Sequence, residues 1–114
     1  MRIAIIGSRN LKLYDLDNYI PKGVTEIVSG GAVGIDSCAK KYALEKGLRL
    51  TEYLPNYKKY GVTAPLFRNM QIIENCDLVL AFWDGKSKGT RHVIKKCTEQ
   101  RIPVKIYLIS QADD

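Results

Sequence analysis

The chain has few residues of the kinds that hold metals or covalent cross-links. Its 114 residues include one histidine, His92, and three cysteines, Cys38, Cys76 and Cys97, with no C-x-x-C pair. An odd number of widely spaced cysteines argues against a disulfide framework, and a single histidine with such cysteines argues against a zinc site. We therefore expect no metal and no resident cofactor, and a reducing cytoplasm as the default location.

Long apolar runs and two common nucleotide-binding signatures are also missing. No segment approaches the ~20 apolar residues of a membrane span, and the first apolar run ends at Gly7, too early for a secretory leader. We expect no membrane partner. The stretch Ser29–Asp36 lacks the Gly-Lys-Ser/Thr ending of a P-loop, and no G-x-G-x-x-G follows the first strand, which disfavours a P-loop there and a standard dinucleotide oxidoreductase.

Basic residues outnumber acidic ones, 18 to 12, which gives a formal charge of +6 and a pI of about 9.3. This balance favours an anionic partner, either a small phosphate ester or a nucleic acid. A solvated lysine-rich surface explains the charge equally well. The length and the 46% hydrophobic content suit one domain, residues 1–110, with 111–114 as a frayed tail.

Strand-like and helix-like patterns alternate along the chain. This alternation predicts an α/β domain with three αβα layers and a five-stranded parallel sheet in the order 3-2-1-4-5. Ligands of such sheets bind beyond the carboxyl ends of the strands where the order reverses, here between the first and fourth strands. The predicted strands are 3–6, 26–29, 48–54, 78–83 and 104–109, and the predicted helices are 14–20, 35–46, 63–75 and 89–101.

Three glycine-containing loops follow predicted strands, so all three should reach the same edge of the sheet. They are Gly7-Ser8-Arg9, the stretch Ser29–Asp36, and the stretch Asp84–Thr90. Glycines between a strand and a helix let the backbone approach a ligand, and the helix start offers unpaired amides to an anion. Convergence of three such loops predicts a phosphate-bearing, nucleotide-like ligand.

The first two loops provide several candidate contacts. Ser8 and Arg9 could hold phosphate or a ribose hydroxyl, with a turn cap and a solvated cation as the alternatives. Asp36 could accept hydrogen bonds from a ribose or base, or could simply be a favourable partner of the helix dipole. Backbone amides complete this predicted group: Ser29, Gly30, Gly31 and Gly34.

The second half of the chain adds a cation and an acid. Arg68, beside Asn69, is the only charge in an otherwise apolar helical stretch, so it points at a ligand or pairs with a structural acid. Asp84 ends the most apolar strand and is a candidate ribose contact. Thr90 is expected at the N-cap or in the first turn of the last helix. The same loop provides the remaining candidates: Gly85, Ser87 and Gly89.

Taken together, these motifs resemble the SLOG superfamily, and within it the YspA-like group. The matching elements cover nearly the whole chain: Gly7-Ser8-Arg9, Ser29–Asp36, Pro55–Gly61, Arg68-Asn69-Met70 and Ala81–Thr90. The resemblance implies a Rossmann-like fold that binds nucleotides or nucleotide-derived ligands. It also implies kinship with the cytokinin-activating phosphoribohydrolases and with the DNA-processing protein DprA, which binds single-stranded DNA, and a homodimer as a reasonable oligomeric state.

The resemblance leaves three functions to weigh. The favoured one is binding of a nucleoside monophosphate or ADP-ribose-like molecule, as a sensor or processing module. The second is hydrolysis of a nucleoside monophosphate, with Arg68 and Asp84 as candidate catalytic groups; here the motif glutamate of the phosphoribohydrolases is replaced by Val93. The third is binding of single-stranded nucleic acid, which ranks last because the lysines are dispersed.

Overall fold

Five parallel strands form one sheet at the centre of the molecule. In the computed structural model, described here for residues 1–110, they lie in the order β3-β2-β1-β4-β5. The predicted α/β class and strand order are confirmed. Residues 3–6 and 79–82 are buried because the two central strands are covered on both faces. The strands are β1 (Arg2–Gly7), β2 (Glu26–Ser29), β3 (Arg49–Glu52), β4 (Leu78–Trp83) and β5 (Val104–Leu108).

Helices pack on both faces of the sheet. They are α1 (Ile35–Lys46), α2 (Tyr57–Tyr60), α3 (Ala64–Glu74) and α4 (Lys88–Glu99). The α1 face encloses one core cluster, which includes Phe82 with its T-shaped contact to Tyr19. The face covered by α3 and α4 encloses a second, which includes Ile72 and Cys97. Alternation of side chains along each strand divides the core in this way.

Several element boundaries differ from the sequence prediction. The predicted helix 14–20 is only a 3-10 turn, Leu16–Asn18, because Leu16 is its one buried anchor and the segment is too short to sustain a helix. The predicted loop 55–61 contains α2, whose start is capped by the Asn56 side chain accepting from the Lys59 amide at 3.1 Å. Other ends shift by a few residues; α4 begins at Lys88, which makes Thr90 its third residue.

The carboxyl ends of β2, β1 and β4 are neighbours at one edge of the sheet. The register pairs Ile3 with Leu78 and Ala4 with Val28, so the three strands run side by side toward this edge. The loops that leave them are therefore adjacent, as the alternation predicted. No helix within residues 1–110 is both long and apolar enough to cross a membrane.

Candidate functional site

A cleft of about 430 Å³ opens where the loops after β1, β2 and β4 meet the start of α3. Many of the residues predicted from the sequence line it: Gly7, Arg9, Asp36, Arg68, Asn69, Ser87, Gly89 and Thr90. The other predicted residues do not line it: Ser8, Ser29, Gly30, Gly31, Gly34, Asp84 and Gly85. The cleft is large enough for one nucleotide-sized ligand.

Ser8 and Asp84 join the first loop to the last. The buried Ser8 amide donates to the Phe82 carbonyl at 3.1 Å, and its hydroxyl accepts from the Asp84 amide at 3.2 Å. Asp84 Oδ1 in turn accepts from the amides of Lys86 and Ser87, each at 2.8 Å. These bonds lower the pKa of Asp84 and hold its carboxylate as part of the loop.

Glycines allow the first two loops to lie directly against each other. Gly34 has φ 75°, and a Cβ placed there would collide with the backbone carbonyl of Arg9. A Cβ at Gly7 would come within 2.5 Å of the Ile35 side chain and of the Phe82 carbonyl oxygen. Because these positions have no side chain, Arg9 and the first turn of α1 reach the same wall of the cleft.

Arg68 is fixed in place by the second glycine loop. Its Nη1 donates to the Gly30 carbonyl at 2.8 Å and its Nε donates to Asn69 Oδ1 at 3.1 Å. A Cβ at Gly30 would occupy the space of the guanidinium. Burial lowers the pKa of Arg68, and the nearby Asp36 opposes that shift. A guanidinium has five N–H donors, so several remain for an anionic ligand.

Asn69 connects the helices that flank the cleft. It is buried, its Oδ1 accepts from Arg68, and its Nδ2 lies 3.3 Å from Nδ1 of His92 on α4. Burial lowers the pKa of His92, which favours the neutral ring. Asn69 thus holds α3, and with it Arg68, at a fixed position against α4.

Asp36 is the acid in the cleft wall. It lies in the first turn of α1, and its relative exposure is only 7%. Its Oδ2 accepts from the Ala32 amide at 3.1 Å, while Oδ1 is enclosed and has no hydrogen-bond partner among residues 1–110. Burial raises the pKa of Asp36, against the opposing effects of the Ala32 hydrogen bond and of Arg68. Oδ1 is thus a buried acceptor whose hydrogen-bonding capacity the described residues leave unsatisfied.

The first turn of α4 forms the opposite wall. Ser87 is its N-cap, and the Trp83 indole N–H holds the Ser87 carbonyl at 3.0 Å. The first hydrogen bond of the helix joins the Arg91 amide to the Ser87 carbonyl. The amides of Lys88, Gly89 and Thr90 therefore have no acceptor within the helix. This wall offers N–H groups and the positive end of the helix dipole.

Apolar side chains that the sequence analysis missed form much of the lining. Pro65, Leu66 and Ile72 come from α3, and Val93 comes from α4. Their helical spacing is that of core residues, so periodicity gave no signal that they also face a cleft. Ile6, Asn10 and Ala32 complete the lining; Ala32 lies inside the predicted loop Ser29–Asp36, and Asn10 directly follows the predicted loop Gly7-Ser8-Arg9.

A second depression adjoins the cleft, and Arg68 belongs to both. It contains Lys59, Tyr60 and Phe67, and the two rings stack with centroids 4.0 Å apart. Lys59 Nζ lies 5.1 Å from the centre of the Tyr60 ring. This adjoining aromatic surface has the composition of a base-stacking platform.

Comparison with known proteins agrees with this architecture. Residues 1–93 match the family described as DNA recombination-mediator protein A. The chain belongs to this family. The DprA kinship that the motifs implied is thus confirmed. The chain is also 32% identical to the Gene 61 protein of Mycobacterium phage D29 over 117 residues, which span 90% of this chain and 93% of the phage protein. No solved structure matches the chain.

Proposed function

We propose that the cleft binds a nucleotide or nucleotide-derived ligand through its phosphate. The observation that carries this proposal is the convergence of Arg9, Arg68 and the first turns of α1 and α4 on one cleft. Guanidinium groups and helix N-termini are both suited to phosphate. The exposed apolar side chain of Leu66, which lines the cleft, offers a surface for the base.

The membership in the DprA family supports a role connected with nucleotides or nucleic acids. Hydrolysis of the nucleotide receives less support from the cleft. Val93 lines the cleft at the position where the phosphoribohydrolase motif has glutamate, and the Asp84 carboxylate is held by its own loop. Binding without cleavage is therefore the function that the cleft supports best.

Calorimetric titration with the 5′-monophosphates of adenosine, guanosine, cytidine and uridine tests this proposal. We expect at least one to bind, and we expect Arg68→Ala to weaken that binding about tenfold or more because a charge-assisted contact is lost. Arg49→Ala is the matched control, since Arg49 lies at the amino end of β3, away from the cleft. Absence of binding by all four at millimolar concentration would refute the proposal.

A second candidate function is binding of single-stranded DNA. The adjoining aromatic surface favours it, because Tyr60 and Phe67 present stacked rings next to a lysine and to Arg68. The family description also points toward DNA. We expect Phe67→Ala to weaken binding of a labelled oligothymidylate, measured by fluorescence anisotropy, if this surface stacks bases. The exposed Tyr14, which lines neither the cleft nor the adjoining aromatic surface, provides the control variant Tyr14→Ala.

A further inference from the structure

The acids near the cleft have different bonding. Asp84 and Asp36 were both candidates for a sugar contact. Oδ1 of Asp84, however, already accepts from two amides of its own loop. Asp36 has one oxygen on the Ala32 amide and one without a partner. Among the described residues that line the cleft, Asp36 is the only acid.

We propose that Asp36 accepts a hydrogen bond from the sugar diol of the bound nucleotide, so that the cleft selects ribonucleotides. This inference rests on the proposed function. A buried carboxylate oxygen without a donor is unfavourable, and a ligand hydroxyl provides the donor. The terminal torsion of aspartate is soft, so rotation of the carboxylate can bring one oxygen to a ligand hydroxyl while the other accepts from the Ala32 amide.

The surroundings of Asp36 favour a sugar rather than a base as its partner. Arg68 on α3 and Arg9 in the first loop are the cations whose charges act on Asp36, and both line the cleft. A phosphate held by these cations places its own sugar, and not the more distant base, beside the carboxylate. The base then meets the exposed apolar side chain of Leu66. A carboxylate that accepts from ribose hydroxyls is a known device of nucleotide recognition.

The test compares sugars on the unmodified full chain. The probes are the tightest of the four ribonucleoside 5′-monophosphates and its 2′-deoxy and 3′-deoxy analogues, titrated by calorimetry. We expect loss of at least one hydroxyl to weaken binding about tenfold, as for a hydrogen bond to a charged group. If both analogues bind within about twofold of the parent, the inference is wrong while the proposed function stands.

A variant assigns the effect to Asp36. In Asp36→Asn we expect the parent to bind no more tightly than its deoxy analogue, with the deoxy analogue itself little changed. Glu74→Gln is the control, because it removes the same charge from an exposed position on α3. An equal loss for parent and analogue would overturn the assignment, since it would show that Asp36 only maintains the loop.

Two further results remain interpretable. If Asp36→Asn does not fold, as judged by circular dichroism, the comparison of sugars on the unmodified chain still decides the inference. If none of the nucleotides binds, the proposed function fails and the inference falls with it. Failure of the inference alone gives a different result, in which the nucleotides bind but the ribose and deoxyribose forms bind equally well.

Discussion

Gly34 is the residue at which two loops of the cleft come closest. Its φ of 75° suits glycine, and any Cβ there would collide with the Arg9 carbonyl. Replacement by alanine combines a left-handed backbone with this collision. We expect Gly34→Ala to lower the free energy of unfolding by about 2–4 kcal/mol in urea denaturation.

Gly23 separates these two contributions. It has φ 86°, but no atom lies within 4 Å of a Cβ built on it. Gly23→Ala therefore carries only the backbone strain, about 1–2 kcal/mol. Equal losses in the two variants would show that the approach of Gly34 to Arg9 is not a tight constraint.

Asp36 makes a pH-dependent contribution to stability. Burial raises its pKa above the ordinary 3.8; Glu52 on β3 adds to the shift, and Arg68 and Arg9 oppose it. Between 3.8 and the folded pKa the native chain binds more protons than the unfolded one, so stability falls as pH rises through this window. Asparagine does not ionise. We expect Asp36→Asn to be more stable than the unmodified chain near neutral pH, with the difference shrinking as pH falls from the folded pKa toward 3.8.

Urea unfolding of both chains across this pH range measures the effect. The expected pattern is a stability gain from the same substitution that removes the preference for ribose. If Asp36→Asn is instead less stable than the unmodified chain, and the difference grows as pH rises, the ionised carboxylate stabilises the start of α1.

At the scale of elements, the first turn of α4 retains a glycine where a helix would be more stable without one. Gly89 does not have a positive φ, and a Cβ there would meet nothing within 4 Å. We expect Gly89→Ala to raise the free energy of unfolding by about 0.5–1 kcal/mol. The new methyl group would enter the cleft and weaken nucleotide binding about fivefold, equivalent to about 1 kcal/mol.

Thr98→Ala is the matched change on the same helix. Thr98 is exposed, and its hydroxyl bonds back to the Ile94 carbonyl at 3.0 Å, away from the cleft. Urea denaturation and calorimetry should show a gain in stability with unchanged affinity. If Gly89→Ala also leaves affinity unchanged, the ligand does not approach the backbone of this turn.

The sequence predicted the elements whose burial shows in their pattern, and missed those that depend on local bonds. β1 and β4 are continuous apolar runs, and their loops were correctly expected at one edge. The short helix α2 depends on the Asn56 cap and on the stacking of Tyr60 with Phe67, a contact that spacing does not reveal.

The same limit applies to the candidate site. The loop residues could be named from the glycine pattern, but Ser8 and Asp84 look as free in the sequence as Asp36 does. Only the fold shows that the Ser8 hydroxyl meets the Asp84 amide and that an Asp36 oxygen has no donor. The roles of these polar groups depend on contacts between segments that lie far apart in the chain.

For the whole molecule, the charge of +6 is not concentrated at the cleft. Lys40, Lys41 and Lys46 lie on α1, and Lys95 and Lys96 lie on α4, several of them exposed. Some basic residues pair locally, as Lys41 does with Glu45 at 3.9 Å. A dispersed charge attracts anions to the molecule in general, whereas a strand of DNA requires a continuous basic track.

The salt dependence of binding distinguishes these two situations. Each phosphate neutralised on a single strand contributes about −0.7 to the slope of log K against log salt. A cleft that holds one phosphate of an oligothymidylate should lose about threefold in affinity between roughly 50 and 200 mM salt. Contact with four phosphates would give a loss of about 50-fold. We expect the smaller value by fluorescence anisotropy, with Lys59→Ala having little effect on the slope. A steep slope that Lys59→Ala reduces would show instead that the adjoining aromatic surface follows the strand, and would make DNA the principal ligand.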